Sequence, residues 1–328
     1  MAASEMIQEL IRAHVAGDSE RFRTISLQLA ASEARAGHRI VAGRIRGLIE
    51  EDRATKRPSK AALEPTPIAR PARDLRGVLA TSYPKERLSD IVLAAEPERV
   101  MHRVLVEHRS RSRLQKWGLD ARRKMLFYGP PGCGKTLAAA VIAGELGLPL
   151  MRVRVETLFS RYLGETGALL ADIFVEMERV RGVYLFDEFD AIARQRGTAH
   201  DVGEAKRVVS TFLQLLDSDP SDSMIIAATN LTDQIDRAIF RRFDDVADFP
   251  LPTKTQIEAL LRLRSAGKAL SQTAIPRLAA MAEGLSFADV SRAVEESVKV
   301  MVLEGRRRLR PSDVEQAIAE VVARPTTD

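Results

Sequence analysis

The chain has 328 residues, of which 45% are hydrophobic and 29% are charged. This length fits two or three domains, and the composition is that of a folded globular protein, which excludes wholesale disorder and collagen-like or mucin-like chains. The 50 lysine and arginine residues exceed the 45 aspartate and glutamate residues, and the net charge of +5 is only a weak indication of a nucleic-acid partner.

The sequence predicts a cytoplasmic protein with no membrane partner. The longest apolar runs, such as 183–186 and 224–228, are too short to cross a bilayer. The first ten residues hold two glutamates and no basic residue, unlike a secretory signal. Cys133 is the single cysteine, so no internal disulfide can form, and no Cys/His cluster has the spacing of a structural zinc site.

The N-terminal part divides into a helical segment and a linker. Apolar residues recur at helical spacing over residues 1–53, with breaks at Gly17 and Gly37, which predicts a small helical bundle. Charged residues of both signs lie opposite these stripes, which favours a bundle core over a membrane-binding face. Residues 54–86 are rich in proline and basic residues, which predicts an extended, mobile linker; a solvated linker is favoured over a nucleic-acid contact.

The remainder predicts an α/β domain at 87–252 and a helical domain at 253–328. Short apolar runs with the character of buried strands occur at 125–128, 150–155, 183–187, 224–228 and 246–249. Because these runs alternate with helical patterns, we expect a mostly parallel sheet. After Pro252 only helical patterns remain, at 255–263, 273–282, 287–303 and 312–322.

A phosphate-binding loop is predicted directly after the first of these runs. Residues 129–136 read GPPGCGKT, follow the strand 125–128 and open a helix at 135–146. Glycines let backbone N–H groups curl round a phosphate, and the helix N-terminus adds the positive end of its dipole. An ordinary glycine-rich turn is the weaker alternative. The predicted nucleotide-binding residues here are Gly129, Pro130, Pro131, Gly132, Cys133, Gly134, Lys135, Thr136 and Leu137.

Individual side chains of this loop have separate expected roles. Lys135 is expected to reach the β- and γ-phosphates, and the hydroxyl of Thr136 is expected to bind Mg²⁺. Cys133 is interpreted as a small residue that fills the loop rather than as a catalytic thiol.

Polar residues end two of the predicted strands. The run 183–186 is followed by Asp187 and Glu188, and buried strands rarely end in two carboxylates without a cation or a reaction to serve. Asp187 is expected to hold Mg²⁺, and Glu188 to act as the general base on the attacking water. Taken alone, the pair could also be a strand end followed by an acidic helix start. Asn230 follows the run 224–228 and is expected to position water or the γ-phosphate, with a turn residue as the alternative.

These motifs together resemble the AAA branch of the AAA+ ATPases. The likeness is carried by residues 129–136, 186–190, 227–230 and 235–252, and it extends from about residue 88 to residue 322. The resemblance implies a P-loop AAA+ domain with a parallel sheet and a C-terminal helical lid, ATP hydrolysis with Mg²⁺, and assembly into a ring, expected to be a hexamer.

Two further segments are similar to parts of the family that contact nucleotide. Residues 88–93 resemble the opening segment whose backbone lies against adenine, which implies that Asp90 and Ile91 bind nucleotide. Residues 284–289 resemble the turn of the lid that covers the nucleotide, which implies the same for Gly284 and Ala288.

Two arginines are implied to act across a subunit boundary. Residues 236–244 resemble the segment that carries the family's arginine fingers, so Arg241 and Arg242 would serve the nucleotide of a neighbouring subunit, and a lone subunit would hydrolyse ATP poorly. The residues alone, without the resemblance, would favour two surface arginines near a helix end. The family often has Gly-Phe after the position of Asp217, and this chain has Ser-Asp-Pro there, a departure that puts the usual coupling between subunits in doubt.

A substrate contact is implied by residues 160–166, which resemble the family's first pore loop. Tyr162, Leu163 and Gly164 would then grip an extended polypeptide in the channel of the ring. Packing of Tyr162 onto its own domain is the alternative. Residues 194–200 are a second candidate pore loop, and Arg207 after it is interpreted either as a contact to a neighbour's nucleotide or as a solvated charge.

The leading hypothesis is a ring-forming, Mg²⁺-dependent ATPase that remodels, unfolds or threads protein, with residues 1–53 recruiting a partner or substrate. A narrower resemblance is to compact bacterial AAA ATPases that accompany a subtilisin-like serine protease in defence or plasmid-maintenance gene pairs. This chain has no protease signature of its own, so a separate protease would supply proteolysis.

The alternative hypothesis is a nucleic-acid-associated AAA+ switch, such as a transposition or repair helper that assembles on DNA. Basic clusters at 103–124 and 306–310 could contact phosphates, but no nucleic-acid-binding motif accompanies them, and solvated faces or subunit contacts are favoured. A scaffold with negligible turnover is a third hypothesis, and the presence of Glu188, Asn230 and Arg241 argues against it.

Overall fold

The structure is a computed structural model that describes residues 25–26, 75, 77–154, 166–189, 199–230 and 237–323. The chain divides into two compact units, Met1–Pro65 and Thr66–Asp328. In the first unit, Ile25 and Ser26 are described, and both are buried and helical. The rest of the predicted bundle and the linker as far as residue 74 lie outside the described residues.

The described part of the second unit is built on a six-stranded sheet. Its strands are β1 (Leu79–Ser82), β2 (Lys124–Tyr128), β3 (Leu150–Val153), β4 (Val183–Phe186), β5 (Met224–Thr229) and β6 (Asp245–Asp248). The strand order is β1-β3-β4-β5-β2-β6. The strands from β3 to β6 are parallel to their neighbours, and β1 pairs antiparallel with β3 at the edge.

Strand β1 corrects the linker prediction, which extended to residue 86. Residues 79–82 pair with β3, and the backbone N–H of Arg154 continues the pairing by donating to the carbonyl of Val78 at 2.8 Å. Val78 and Leu79 are each 3% exposed and belong to the core. The prediction of a linker is therefore wrong for this segment, because a four-residue edge strand contributes too few buried residues to stand out between prolines.

Helices cover both faces of the sheet and form the C-terminal lobe. The described helices are α1 (Ala95–Arg109), α2 (Arg111–Gln115), α3 (Lys135–Leu146), α4 (Thr166–Arg179), α5 (Ala199–Ser218), α6 (Arg237–Phe240), α7 (Lys254–Arg264), α8 (Ile275–Met281), α9 (Phe287–Leu303) and α10 (Pro311–Val322). Short 3₁₀ turns occur at Leu88–Asp90 and Gln272–Ala274. None of the helices in these described parts has the length and apolar character needed to span a bilayer.

The central strands are apolar throughout because both of their faces are covered. Along β4, Tyr184 and Phe186 point into the core beneath α4 and α5, whereas Val183 and Leu185 point into the core beneath α1 and α3. All six residues of β5 are buried in the same alternating way. This arrangement fixes the strands, so the loops at their carboxyl ends have defined positions.

The C-terminal lobe has its own core, in which Ile257, Leu278, Val290 and Val314 from four helices are completely buried. Its first helix, α7, begins at a capping box in which the hydroxyl of Thr253 accepts from the N–H of Gln256. Residues 251–323 contain no strand. The predicted α/β fold with a C-terminal helical lobe is thus confirmed.

Candidate nucleotide-binding site

A pocket of about 560 Å³ lies at the carboxyl ends of the parallel strands, between the sheet and the helical lobe. Loops after β2, β4 and β5 contribute one wall, and helices α7 and α9 contribute the opposite wall. Ligands of open α/β sheets bind at this edge of the sheet. The position alone therefore marks the pocket as the candidate site.

The loop between β2 and α3 is held so closely that glycine is required at two positions. A Cβ atom on Gly129 would lie 2.3 Å from the carbonyl oxygen of Phe249, and one on Gly132 would lie 2.5 Å from Oγ of Ser286. Both glycines have positive φ values, 134° and 75°. The backbone N–H of Ala288, in the first turn of α9, donates to the carbonyl of Gly132 at 3.0 Å. The loop is thereby fixed to the sheet and to the helical lobe at the same time.

Lys135 is buried at the base of this loop, with 7% of its surface exposed. Its ammonium donates to the carbonyl oxygens of Gly129 (2.7 Å) and Pro130 (2.8 Å) and to Oδ1 of Asn230 (2.9 Å). A buried ammonium needs such hydrogen-bond acceptors. They hold the positive charge of Lys135 beside the N-terminus of α3, and both the ammonium and the helix N-terminus favour a bound anion there. The structure thus brings Lys135 and Asn230 together at the base of the loop.

Asp187, directly after β4, faces the start of α3. The hydroxyl of Thr136 donates to Oδ2 of Asp187 at 2.9 Å, and the backbone N–H of Glu188 donates to Oδ1 at 3.1 Å. One hydroxyl and one carboxylate at this distance suit Mg²⁺, which binds few protein ligands and keeps several waters or phosphate oxygens. The residues present therefore fit the metal that the sequence predicted.

Glu188 lines the same pocket and has an unusual backbone. Its φ is +54°, in the left-handed region that non-glycine residues rarely adopt. Strain of this kind persists where the surrounding structure fixes it, and it concentrates at functional sites. The turn ends the strand sharply and leaves the Glu188 carboxylate exposed on the wall of the pocket rather than within the core.

The remaining predicted nucleotide-binding residues fall into two groups. Several contribute directly to the pocket wall: Asp90, Ile91, Pro131, Gly132, Gly134, Leu137 and Ala288. The side chain of Cys133 is buried beneath the loop instead. Gly284 has a φ of 86° and turns the chain two residues before Ser286, the residue that caps α9.

The segment before α1 connects the two walls. Ile91 and Leu93 pack against the core that includes α3, whereas Val92 packs against the core of the helical lobe. The side-chain amide of Gln256 in α7 donates to the carbonyl of Leu93 at 3.0 Å. Because this segment touches both lobes, a change in their separation would move the pocket wall at Asp90 and Ile91.

Three arginines that the sequence analysis did not identify also line the pocket: Arg152, Arg264 and Arg292. Two of them had a signal in the sequence. Arg152 interrupts the otherwise apolar strand β3, and Arg292 lies one helical turn after Ala288, on the same face of α9. Arg264 ends α7, and its position over the pocket follows only from the packing of the helical lobe.

The two predicted finger arginines lie outside the pocket of their own chain. Both follow α6 and are exposed. Arg242 forms an ion pair with Asp217 at the end of α5, whereas Arg241 forms none with any described residue. The predicted pore-loop residues Tyr162, Leu163 and Gly164, and residues 194–198 of the second candidate loop, lie outside the described residues. Arg207 on α5 is exposed.

Cys133 is expected to resist alkylation. Burial raises the pKa of its thiol, and the nearby Lys135 ammonium offsets this only in part. Since the thiolate is the reactive form, N-ethylmaleimide should react about tenfold more slowly with the native chain at neutral pH than with the urea-unfolded chain, and the rate should keep rising into alkaline pH. Mass spectrometry of timed samples measures this. Equal rates for native and unfolded protein would contradict the buried position.

The fold and this pocket together define a P-loop nucleotide-binding protein. Residues 125–251 match the sequence model of the ATPase family associated with various cellular activities, AAA. The chain is also 35% identical over 325 residues to "Uncharacterized AAA family ATPase y4kL" of Sinorhizobium fredii, an alignment that covers 99% of this chain and 97% of that protein. The chain belongs to the AAA family, and it is an ATPase.

Longer relatives share only part of their length with this chain. It is 31% identical to "ATP-dependent zinc metalloprotease FtsH 3" of Sphaerobacter thermophilus, over 76% of this chain and 52% of that protein. It is 35% identical to "Proteasome-activating nucleotidase" of Aeropyrum pernix, over 63% of this chain and 52% of that protein. The chain thus spans about half the length of these two relatives.

Proposed function

We propose that this chain is the protomer of a ring, expected to be a hexamer, that uses Mg²⁺-dependent ATP hydrolysis to remodel, unfold or thread protein substrates. The observation that carries the proposal is the position of Arg241. It is exposed, lies outside the pocket of its own chain and has no described ion-pair partner, although it belongs to the segment that resembles the family's arginine fingers. A neighbouring copy is the partner that gives this cation a function.

Within one chain, the described residues divide the chemistry between them. Lys135 and the backbone N–H groups of the loop bind the phosphates, and Thr136 with Asp187 would hold Mg²⁺, which when bound supplies positive charge to the phosphate oxygens. Glu188 accepts a proton from the attacking water. Asn230, fixed through its contact with Lys135, orients that water.

A protein substrate is favoured over nucleic acid by the charges of the described surface. The basic segment 103–124 is largely neutralised by carboxylates of its own chain. The pairs are Arg103 with Asp245, Arg109 with Glu145, Arg111 with Asp222, Arg122 with Glu107, and Arg123 with Asp219. Cations that are paired in this way offer little to the phosphates of DNA. The names of the two longer relatives, by contrast, connect this ATPase domain with proteolysis.

The finer parts of the proposal concern residues beyond the pocket. Residues 1–53 would recruit the substrate or a partner, and Tyr162, Leu163 and Gly164 would grip the polypeptide in the channel. A separate subtilisin-like protease would degrade what the ring unfolds, in a defence or plasmid-maintenance role. We place this activity in the cytoplasm.

Whether the substrate is a protein or a nucleic acid is tested by measuring which of the two stimulates ATP hydrolysis. ATP turnover of the full chain is measured alone, with a chemically unfolded polypeptide, and with duplex DNA. We expect the polypeptide to stimulate turnover, and Tyr162→Ala to lose this stimulation while keeping the basal rate. Tyr83→Ala, at an exposed tyrosine beside β1, is the matched control. Stimulation by DNA with a steep dependence on salt, and none by polypeptide, would instead support assembly on DNA.

A further inference from the structure

Arg152, on strand β3, forms an ion pair with Asp187, which directly follows the neighbouring strand β4. It lies on β3 opposite Leu185 of β4, and its guanidinium donates to Oδ2 of Asp187 at 2.7 Å. The Asp187 side chain is 12% exposed, whereas that of Arg152 is 52% exposed. A half-exposed cation is therefore paired with a carboxylate that is mostly buried.

Arg152 shares one oxygen of Asp187 with Thr136, the residue that would hold the metal together with Asp187. Oδ2 of Asp187 also accepts the hydroxyl of Thr136 at 2.9 Å, and the second oxygen, Oδ1, is engaged by the backbone N–H of Glu188. The carboxylate cannot turn a different oxygen to Thr136 without breaking that backbone contact. A divalent cation between Thr136 and Asp187 would thus meet the guanidinium at the shared oxygen, and two cations at that range repel each other.

Arg152 also lines the nucleotide pocket, so a guanidinium that is displaced from Asp187 is still within reach of the pocket. An anionic nucleotide in the pocket would then attract it. The same arginine thus opposes the metal when it contacts Asp187 and supports the nucleotide when it does not.

We propose that Arg152 is a positioning residue that competes with the divalent cation for Asp187, so that metal binding and the release of Arg152 are one coupled event. The inference rests on the proposed nucleotide site, since it assigns Asp187 to the metal. In the metal-free state Arg152 neutralises Asp187 and keeps it against Thr136. When metal and nucleotide are bound, the freed guanidinium adds one positive charge to the pocket.

The inference is tested by metal affinity rather than by turnover. Mn²⁺ binding to the ADP-loaded full chain is followed by the loss of the free-ion signal in electron paramagnetic resonance. Arg152→Gln keeps a hydrogen-bonding side chain without the charge, and it should bind Mn²⁺ about two- to fivefold more tightly than the wild type, the range that a half-exposed ion pair gives. ADP affinity in EDTA should also fall in the same variant, because the negative charge of Asp187 is then no longer neutralised beside the phosphates.

Three further variants make the outcome decisive. Arg154→Gln removes the same charge from an exposed position two residues away and should leave Mn²⁺ affinity unchanged. Arg152→Lys keeps a cation and should stay close to the wild type. Unchanged or weaker Mn²⁺ binding by Arg152→Gln, with an unchanged melting temperature, overturns the inference. Lys135→Ala tests the site itself: its loss of ADP binding supports the nucleotide site whatever Arg152 does, and retained ADP affinity would reject the site.

Discussion

Glu188→Gln is expected to slow ATP turnover by about 10²- to 10⁴-fold while leaving ATP affinity near that of the wild type. The amide is nearly the same size as the carboxylate but cannot accept a proton from water. The hydrogen bonds that hold Lys135 in the phosphate loop do not involve Glu188, so ATP binding should survive. A coupled assay of phosphate release measures turnover, and calorimetry measures ATP affinity.

Glu295→Gln is the matched control for this experiment. Glu295 lines the same pocket from α9, so the substitution makes the same change of charge on the opposite wall. It should keep turnover close to the wild type. Near-normal turnover of Glu188→Gln would mean that another group accepts the proton. Because the Glu188→Gln variant should remain ATP-bound, it also offers a way to capture the protein substrate that we propose.

The parts of the structure that the sequence predicted correctly are those with local physical signatures. Strands β4 and β5 are buried on both faces, so their residues form continuous apolar runs that can be recognised without knowing their neighbours. The phosphate loop requires glycine where its backbone approaches Phe249 and Ser286. These glycines lie within a few residues of one another, so their spacing can be recognised in the sequence. The loop therefore indicated both the fold and the ligand.

The parts that were missed depend on contacts between distant segments. Arg264 reaches the pocket because the helical lobe packs over it. The contact of Arg152 with Asp187 joins a residue of β3 to one that lies 35 positions later, directly after β4. Neither the periodicity nor the motif of a single segment contains this information. Strand β1 was missed for the same reason, because it is recognised by its pairing with β3 rather than by its own residues.

The difference between Arg241 and Arg242 likewise depends on a tertiary contact. In the sequence they are adjacent and equivalent, but in the structure Asp217 holds Arg242 while Arg241 extends into solvent. A surface ion pair of this kind contributes at most about 1 kcal/mol, so the pair orients the segment more than it stabilises the fold. We therefore expect Arg241, rather than Arg242, to be the cation available to a neighbouring copy, with Arg242 helping to orient it.

Arg241→Ala is accordingly expected to lower turnover by about 10³-fold or more, with ATP affinity largely kept, because the arginine stabilises charge that develops on the phosphate only during the reaction. Arg242→Ala should have a smaller effect. Turnover per subunit of the wild type should rise steeply with protein concentration as rings assemble. Mixing Arg241→Ala with Glu188→Gln should restore activity, since a site between the two variants combines an intact Glu188 with an intact Arg241. Equal turnover by dilute monomer and assembled protein, together with full activity of Arg241→Ala, would show that each chain completes its own site.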